Sequence, residues 1–232
     1  MKYAPDGEVE LSSDPEPPSR GGWYWNPQYS WPEIANALTM PPCALLSMYV
    51  LSTALEHNPR VLLITIAALI HLPFSMAFHL TSAFRKPSSP EVLLTRNLDL
   101  VFIHLGGLLA AYALSGCIVF TAINAFVNLG LVARALLSQD QSKDAAARGF
   151  CVFLSVALYI SPVMLTQNYL VYLRMLGELG LAGAFYLFRF AGRWSHACFH
   201  ILLTLYQYSL LSAAHQPVFQ HPPIPFIALG KV

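Results

Sequence analysis

The sequence is a succession of apolar stretches, each about 20 residues long, separated by short polar joints. Twenty helical residues at 1.5 Å apiece cover about 30 Å, the thickness of a bilayer's hydrocarbon core. Seven such stretches occur, over roughly 37–56, 61–84, 97–115, 117–137, 149–166, 169–189 and 194–214. In lipid a backbone N–H or C=O has no water to bond, so each stretch is predicted to be an α-helix. The expected fold is all-α: a bundle of seven transmembrane helices over residues 35–214. Composition agrees, at 56% hydrophobic and 11% charged with a mean hydropathy of +0.51, where a soluble domain carries about a quarter charged residues. A net charge of +1 provides no field to attract nucleic acid, and none is expected as a partner.

Residues 1–34 read as a polar tail in which Asp6, Glu8, Glu10, Asp14 and Glu16 alternate with Pro5, Pro15, Pro17 and Pro18. Such a segment buries too little to order itself. Trp23, Tyr24, Trp25, Tyr29 and Trp31 follow, and amphipathic rings ahead of a first span suit the membrane interface. The competing reading is a docking surface through which the tail meets other membrane subunits. Residues 215–232 make a short proline-rich C-terminal tail. The start resembles neither a secretory signal nor an Arg-rich presequence, so the first span is expected to act as an uncleaved insertion signal. Cys43, Cys117, Cys151 and Cys198 lie within apolar stretches without close pairs, as buried thiols do.

Seven spans put Lys2, Arg20, Arg85, Lys86, Arg96, Arg134, Lys143, Arg148, Arg189 and Arg193 on one face of the membrane. Arg60, Arg174 and Lys231 belong to the other. Basic residues are retained on the cytosolic side, or the matrix side in a mitochondrion, so the N-terminus is predicted to lie there.

Ionisable residues inside spans are costly and point to function. Ser75 and His79 stand one turn apart near the end of the second span, and His196 and His200 one turn apart at the start of the seventh. Asp99 opens the third span. The second span runs toward the basic face, and the third and seventh start from it. Five polar residues from three distant segments are therefore expected at one membrane depth. Three imidazoles with an open fourth position suit zinc. A zinc-bound water would be the nucleophile, Asp99 its proton acceptor or a partner to a ligand, and Ser75 a donor to the water or the developing oxyanion. The blander reading makes these side chains interhelical hydrogen bonders. His-x-x-x-His alone is weak, and the shared depth is what favours a metal. His71 and His104 are read as hydrogen-bonding residues, Arg174 with Glu178 as an ion pair facing the bundle, Asn124 and Asn128 as interhelical bonders, and Pro162 as a kink. His215 and His221 carry no motif.

Ser-x-x-x-His ending the second span, Asp early in the third and His-x-x-x-His in the seventh resemble the CREST superfamily of seven-helix membrane hydrolases. The run His196-Ala197-Cys198-Phe199-His200-Ile201-Leu202, the pair Phe78-His79 and the segment Glu33-Ile34-Ala35-Asn36 look most like the alkaline ceramidases. The resemblance implies zinc held by His79, His196 and His200, with Ser75 and Asp99 beside the metal-bound water. It further implies hydrolysis of a non-peptide C–N bond in a lipid amide such as ceramide, drawn from the surrounding membrane lipids. An endomembrane such as the ER or Golgi, or the mitochondrial inner membrane, is the expected location. Two departures stand out. Trp23-Tyr24-Trp25-Asn26 replaces the acidic segment that helps bind calcium in those enzymes, so calcium is not expected. Leu100 stands where the family often has Glu after the third-span Asp. Two alternatives use the same fold: a catalytically silent accessory subunit of a large membrane complex, and a receptor-like member of the superfamily.

Overall fold

A computed structural model describes residues 23–53, 58–137, 145–165 and 168–215. The reading of residues 1–22 and 216–232 as tails, with His221, lies outside the described residues. The helices are α1 (Pro27–Leu38), α2 (Pro41–Thr53), α3 (Pro59–Phe84), α4 (Pro90–Ser115), α5 (Ile118–Leu137), α6 (Ala145–Leu165), α7 (Tyr169–Phe188) and α8 (Ser195–His215), with one 3₁₀ turn over Gly192–Trp194. Among the described residues, α1 and α2 together form one span and α3 to α8 supply six more, seven in all. The chain is a multi-pass integral membrane protein, and its outward surface is apolar, with Phe126, Leu170 and Leu173 among the side chains turned outward.

Three of these helices start with a capping side chain followed by proline. The side-chain oxygen of Asn26 accepts from the Gln28 N–H, that of Asn58 from the Arg60 N–H, and Ser89 Oγ from the Val92 N–H. Each cap satisfies an N–H that lacks an intrahelical partner, and proline at the next position lacks the N–H altogether. The first and third spans consequently begin at Pro27 and Pro90, not near 37 and 97. Residues 27–34, read as tail from their polarity, are helical and belong to the first span. That span breaks at Thr39 and Met40 because Pro41 and Pro42 follow, and a residue before proline is pushed out of helical geometry. At the far end of α4, Gly116 takes the left-handed conformation (φ 60°) that makes the tight turn into α5.

The core lies between α3, α4, α6, α7 and α8, where Ile64, Ile160, Met175 and Leu211 are enclosed. Small residues let the backbones close in: Ala110, Ala111, Ala113 and Ala214 are buried at the same level. Helices α4, α5 and α6 are joined by a polar knot. The Asn128 Oδ1 accepts from Ser155 Oγ and lies 3.2 Å from His104 Nδ1, while Asn128 Nδ2 donates to Asn124 Oδ1 at 2.9 Å. These are the hydrogen-bonding roles expected of His104 and Asn128, whereas Asn124, expected to bond between helices, bonds only within α5 among the described residues and leaves its buried Nδ2 without a partner. All four cysteines are free. Arg174 pairs with Glu178 (Nε to Oε1, 2.9 Å), but its side chain is 54% exposed, so the guanidinium looks outward over Tyr208 and not into the bundle.

The aromatic group before α1 folds back on the end of α3. Trp23 and Trp25 lie 5.4 and 5.7 Å, centroid to centroid, from Phe84, and the Tyr24 N–H bonds the Phe84 carbonyl at 3.0 Å. This contact carries α1 against α3 and α8.

Candidate metal centre

Helix α3 ends at Phe84, five residues beyond His79, while α8 begins at Ser195, one residue before His196. The two helices therefore bring His79, His196 and His200 to one level. Ser195 Oγ accepts from the Ala191 N–H at 2.9 Å, fixing where α8 starts. The three imidazoles form a triangle with centroids 5.0, 5.1 and 4.5 Å apart, and one nitrogen from each lies within 4.8 Å of the others. His79 and His200 are buried, and His196 is half-buried against Tyr186 and Phe199.

Two of the rings are oriented by α1. His79 Nδ1 lies 2.8 Å from Glu33 Oε2. A carboxylate only accepts, so His79 donates from Nδ1 and, as a neutral ring, keeps its lone pair on Nε2. His200 Nδ1 lies 3.1 Å from the Asn36 carbonyl and 3.1 Å from Thr39 Oγ1. The carbonyl likewise accepts, which puts the His200 lone pair on Nε2 too. Asn36 Nδ2 donates to Glu33 Oε2 at 3.3 Å, so the carboxylate is itself held. A histidine whose second nitrogen donates to a carboxylate or carbonyl is the usual form of a metal ligand. With Nδ1 of both rings bonded to α1, Nε2 is the nitrogen each has free to offer a cation. An all-imidazole donor set suits a borderline cation such as zinc, and its spacing is within reach of one ion after small ring rotations. The residues fit the group.

Ser75 is buried one turn from His79 and faces Asp99. Asp99 does not share the depth of His79. Because α4 starts at Pro90, Asp99 lies two and a half turns into the helix, roughly 13 Å from its start. There its Oδ1 lies 2.8 Å from His71 Nε2. Thus α3 and α8 unite His79, His196 and His200; Ser75 is one turn from His79 on α3, and Asp99 lies between His71 and Ser75, still within electrostatic reach of His79 and His200. Sequence reasoning did not assign Glu33, Asn36 and Thr39 their contacts with the rings, nor His71 its bond to Asp99. The polar pair Glu33 and Asn36, three residues apart within a helix, was the available signal. Comparison with known proteins finds no matching family model, no matching curated protein and no matching solved structure.

Proposed function

We propose that this protein is a zinc-dependent integral membrane hydrolase of lipid amides, with His79, His196 and His200 as the metal ligands. The observation that carries the reading is the histidine triangle, one nitrogen of each ring lying within 4.8 Å of the others, with two of the rings anchored through Nδ1. Zinc, when bound, supplies Lewis acidity and makes water a nucleophile at neutral pH. The chain's own residues supply the proton handling. Asp99 accepts the proton that water loses on attack at the amide carbonyl and returns it to the departing nitrogen. Ser75, between Asp99 and His79, donates a hydrogen bond to the carbonyl oxygen as it gains charge. The balanced outcome is a fatty acid and an amine, the products of ceramide cleavage if the amine is a sphingoid base. Depth supports a lipid substrate. His79 is five residues from the end of α3, roughly 7 to 8 Å, so the triangle lies toward one end of the spans and not at their middle. The triangle faces the basic side, with the N-terminus in the cytosol or matrix.

The deciding experiment measures zinc in the purified protein and in His196→Ala and His200→Ala, with hydrolysis of a lipid amide panel on the same samples. Near-stoichiometric zinc that is lost in both variants, with zinc-dependent release of fatty acid, is the expected result. Zinc without turnover would replace the enzyme with a silent subunit that keeps the centre. Absence of zinc would end the metal reading.

A further inference from the structure

The pair formed by His71 and Asp99 lies outside the histidine triangle, and nothing in the ligand set requires it. Its geometry is nevertheless well defined. His71 Nε2 and Asp99 Oδ1 are 2.8 Å apart, with the side chains 23% and 13% exposed. A carboxylate accepts, so His71 is the donor. His71, Ser75 and His79 succeed one another at single-turn intervals along α3, a column of about 12 Å. Asp99 enters this column from α4 between His71 and Ser75. Ring contacts between the two helices flank the pair. Phe74 of α3 stacks on Phe102 of α4 at 3.7 Å, and Arg96 lies over the Phe78 ring.

We propose that His71 is a positioning residue for Asp99, holding one carboxylate oxygen so that the rest of the group stays turned to Ser75 and the histidine triangle. The proposal rests on the hydrolase reading above. An aspartate in a bundle rotates about its terminal torsion unless a donor fixes it, and general acid–base transfer needs the group within hydrogen-bonding reach of the proton it moves. The groups facing Asp99 divide the task. His71 approaches from deeper in the bundle and Ser75 from the triangle side, while His79 and His200 are felt through space. A clamp between helices would be served by any bonded pair; a positioning role is specific to a donor at this place.

The test uses the full chain, zinc-loaded in lipid nanodiscs, with His71→Leu, His71→Gln, Asp99→Asn and the double variant His71→Leu/Asp99→Asn. All four are expected to bind zinc as the wild type does. His71→Leu is expected to lower kcat on the order of 10- to 100-fold, the usual range for a residue that orients a working group, with KM unchanged. His71→Gln, which keeps an N–H donor, restores most of the loss. Added to Asp99→Asn, His71→Leu costs nothing further, because its effect runs through the carboxylate. A wild-type kcat in His71→Leu, or a full additional loss in the double variant, would overturn the proposal. A second readout is independent of turnover: histidine ¹⁵N NMR, in which zinc loading shifts the His71 signal in wild type but not in Asp99→Asn. If wild type hydrolyses nothing, the hydrolase reading fails on its own, and a His71 signal deaf to zinc in wild type overturns the positioning role separately.

Discussion

Glu33 reaches His79 across 46 residues of sequence, and the contact does two things at once. It satisfies a buried ring nitrogen, and it selects which nitrogen is left to bind a metal. Replacing Glu33 with Ala should weaken zinc binding by about 10- to 100-fold. Glu33→Gln should cost less, because its side-chain carbonyl can still accept from Nδ1. Competition with a chromophoric chelator measures both. The three histidines were legible in the sequence because a four-residue interval on a helix fixes a shared face, and the ends of spans fix depth. The Glu33 bond was not legible, because no local pattern in α1 records which neighbour it packs against. Asp99 was half legible: an acid inside a span announces importance, but its partner depends on where its helix begins.

That beginning is an element-scale property. The first turns of α4 hold Glu91, Arg96 and Asn97, which hide the helix from an apolar-run reading, whereas Ser89 and Pro90 announce it. The same cap-and-proline pairs at Asn26-Pro27 and Asn58-Pro59 were present to be read. Helix identity was legible throughout, since lipid leaves a long apolar run no alternative; helix starts depended on capping chemistry that hydropathy ignores. Packing between elements gives a sharp prediction at two adjacent glycines. A Cβ at Gly107 would stand 3.1 Å from Ser155 Oγ, 3.3 Å from Tyr159 Cδ1 and 3.5 Å from Asn128 Oδ1, inside the polar knot. A Cβ at Gly106 would meet only Ala67, at an ordinary 3.6 Å. Gly107→Ala should therefore destabilise the protein by about 1–3 kcal/mol, whereas Gly106→Ala should be neutral or mildly stabilising through helix propensity. Unfolding in detergent distinguishes them. Asn128→Ala, which removes the shared acceptor of His104 and Ser155, should cost about 1–3 kcal/mol for the groups left unpaired.

At the scale of the whole molecule, an odd number of spans puts the two ends of the bundle on opposite faces of the membrane. The basic residues around the α3–α4 and α7–α8 connections, Arg85, Lys86, Arg189 and Arg193, then share a face with the start of α1. Single cysteines placed at position 87 and position 191 in a cysteine-free background should react with a membrane-impermeant thiol reagent only after the compartment is opened from its cytosolic or matrix side. A cysteine at position 58 should show the reverse. Trp23 and Trp25 pack at the end of α3 that carries Arg85, with Arg85 over Trp23, as interfacial rings on the basic face would. Seven spans could be counted from sequence alone; which helices touch could not, because a lipid-facing leucine and a core leucine look alike until the bundle is assembled.

The bond between His200 and the Asn36 carbonyl joins residues 164 positions apart. A ribosome releases Glu33, Asn36 and Thr39 well before His196 and His200. Between those two moments the membrane holds a chain with one histidine of the triangle and its supporting carboxylate, but no partner rings. The histidine triangle is therefore complete only once α8 has inserted and docked, and on the proposed reading metal loading would report completed assembly. A chain stopped before residue 195 should insert six spans and bind no zinc at this centre, which metal analysis of the truncated protein checks.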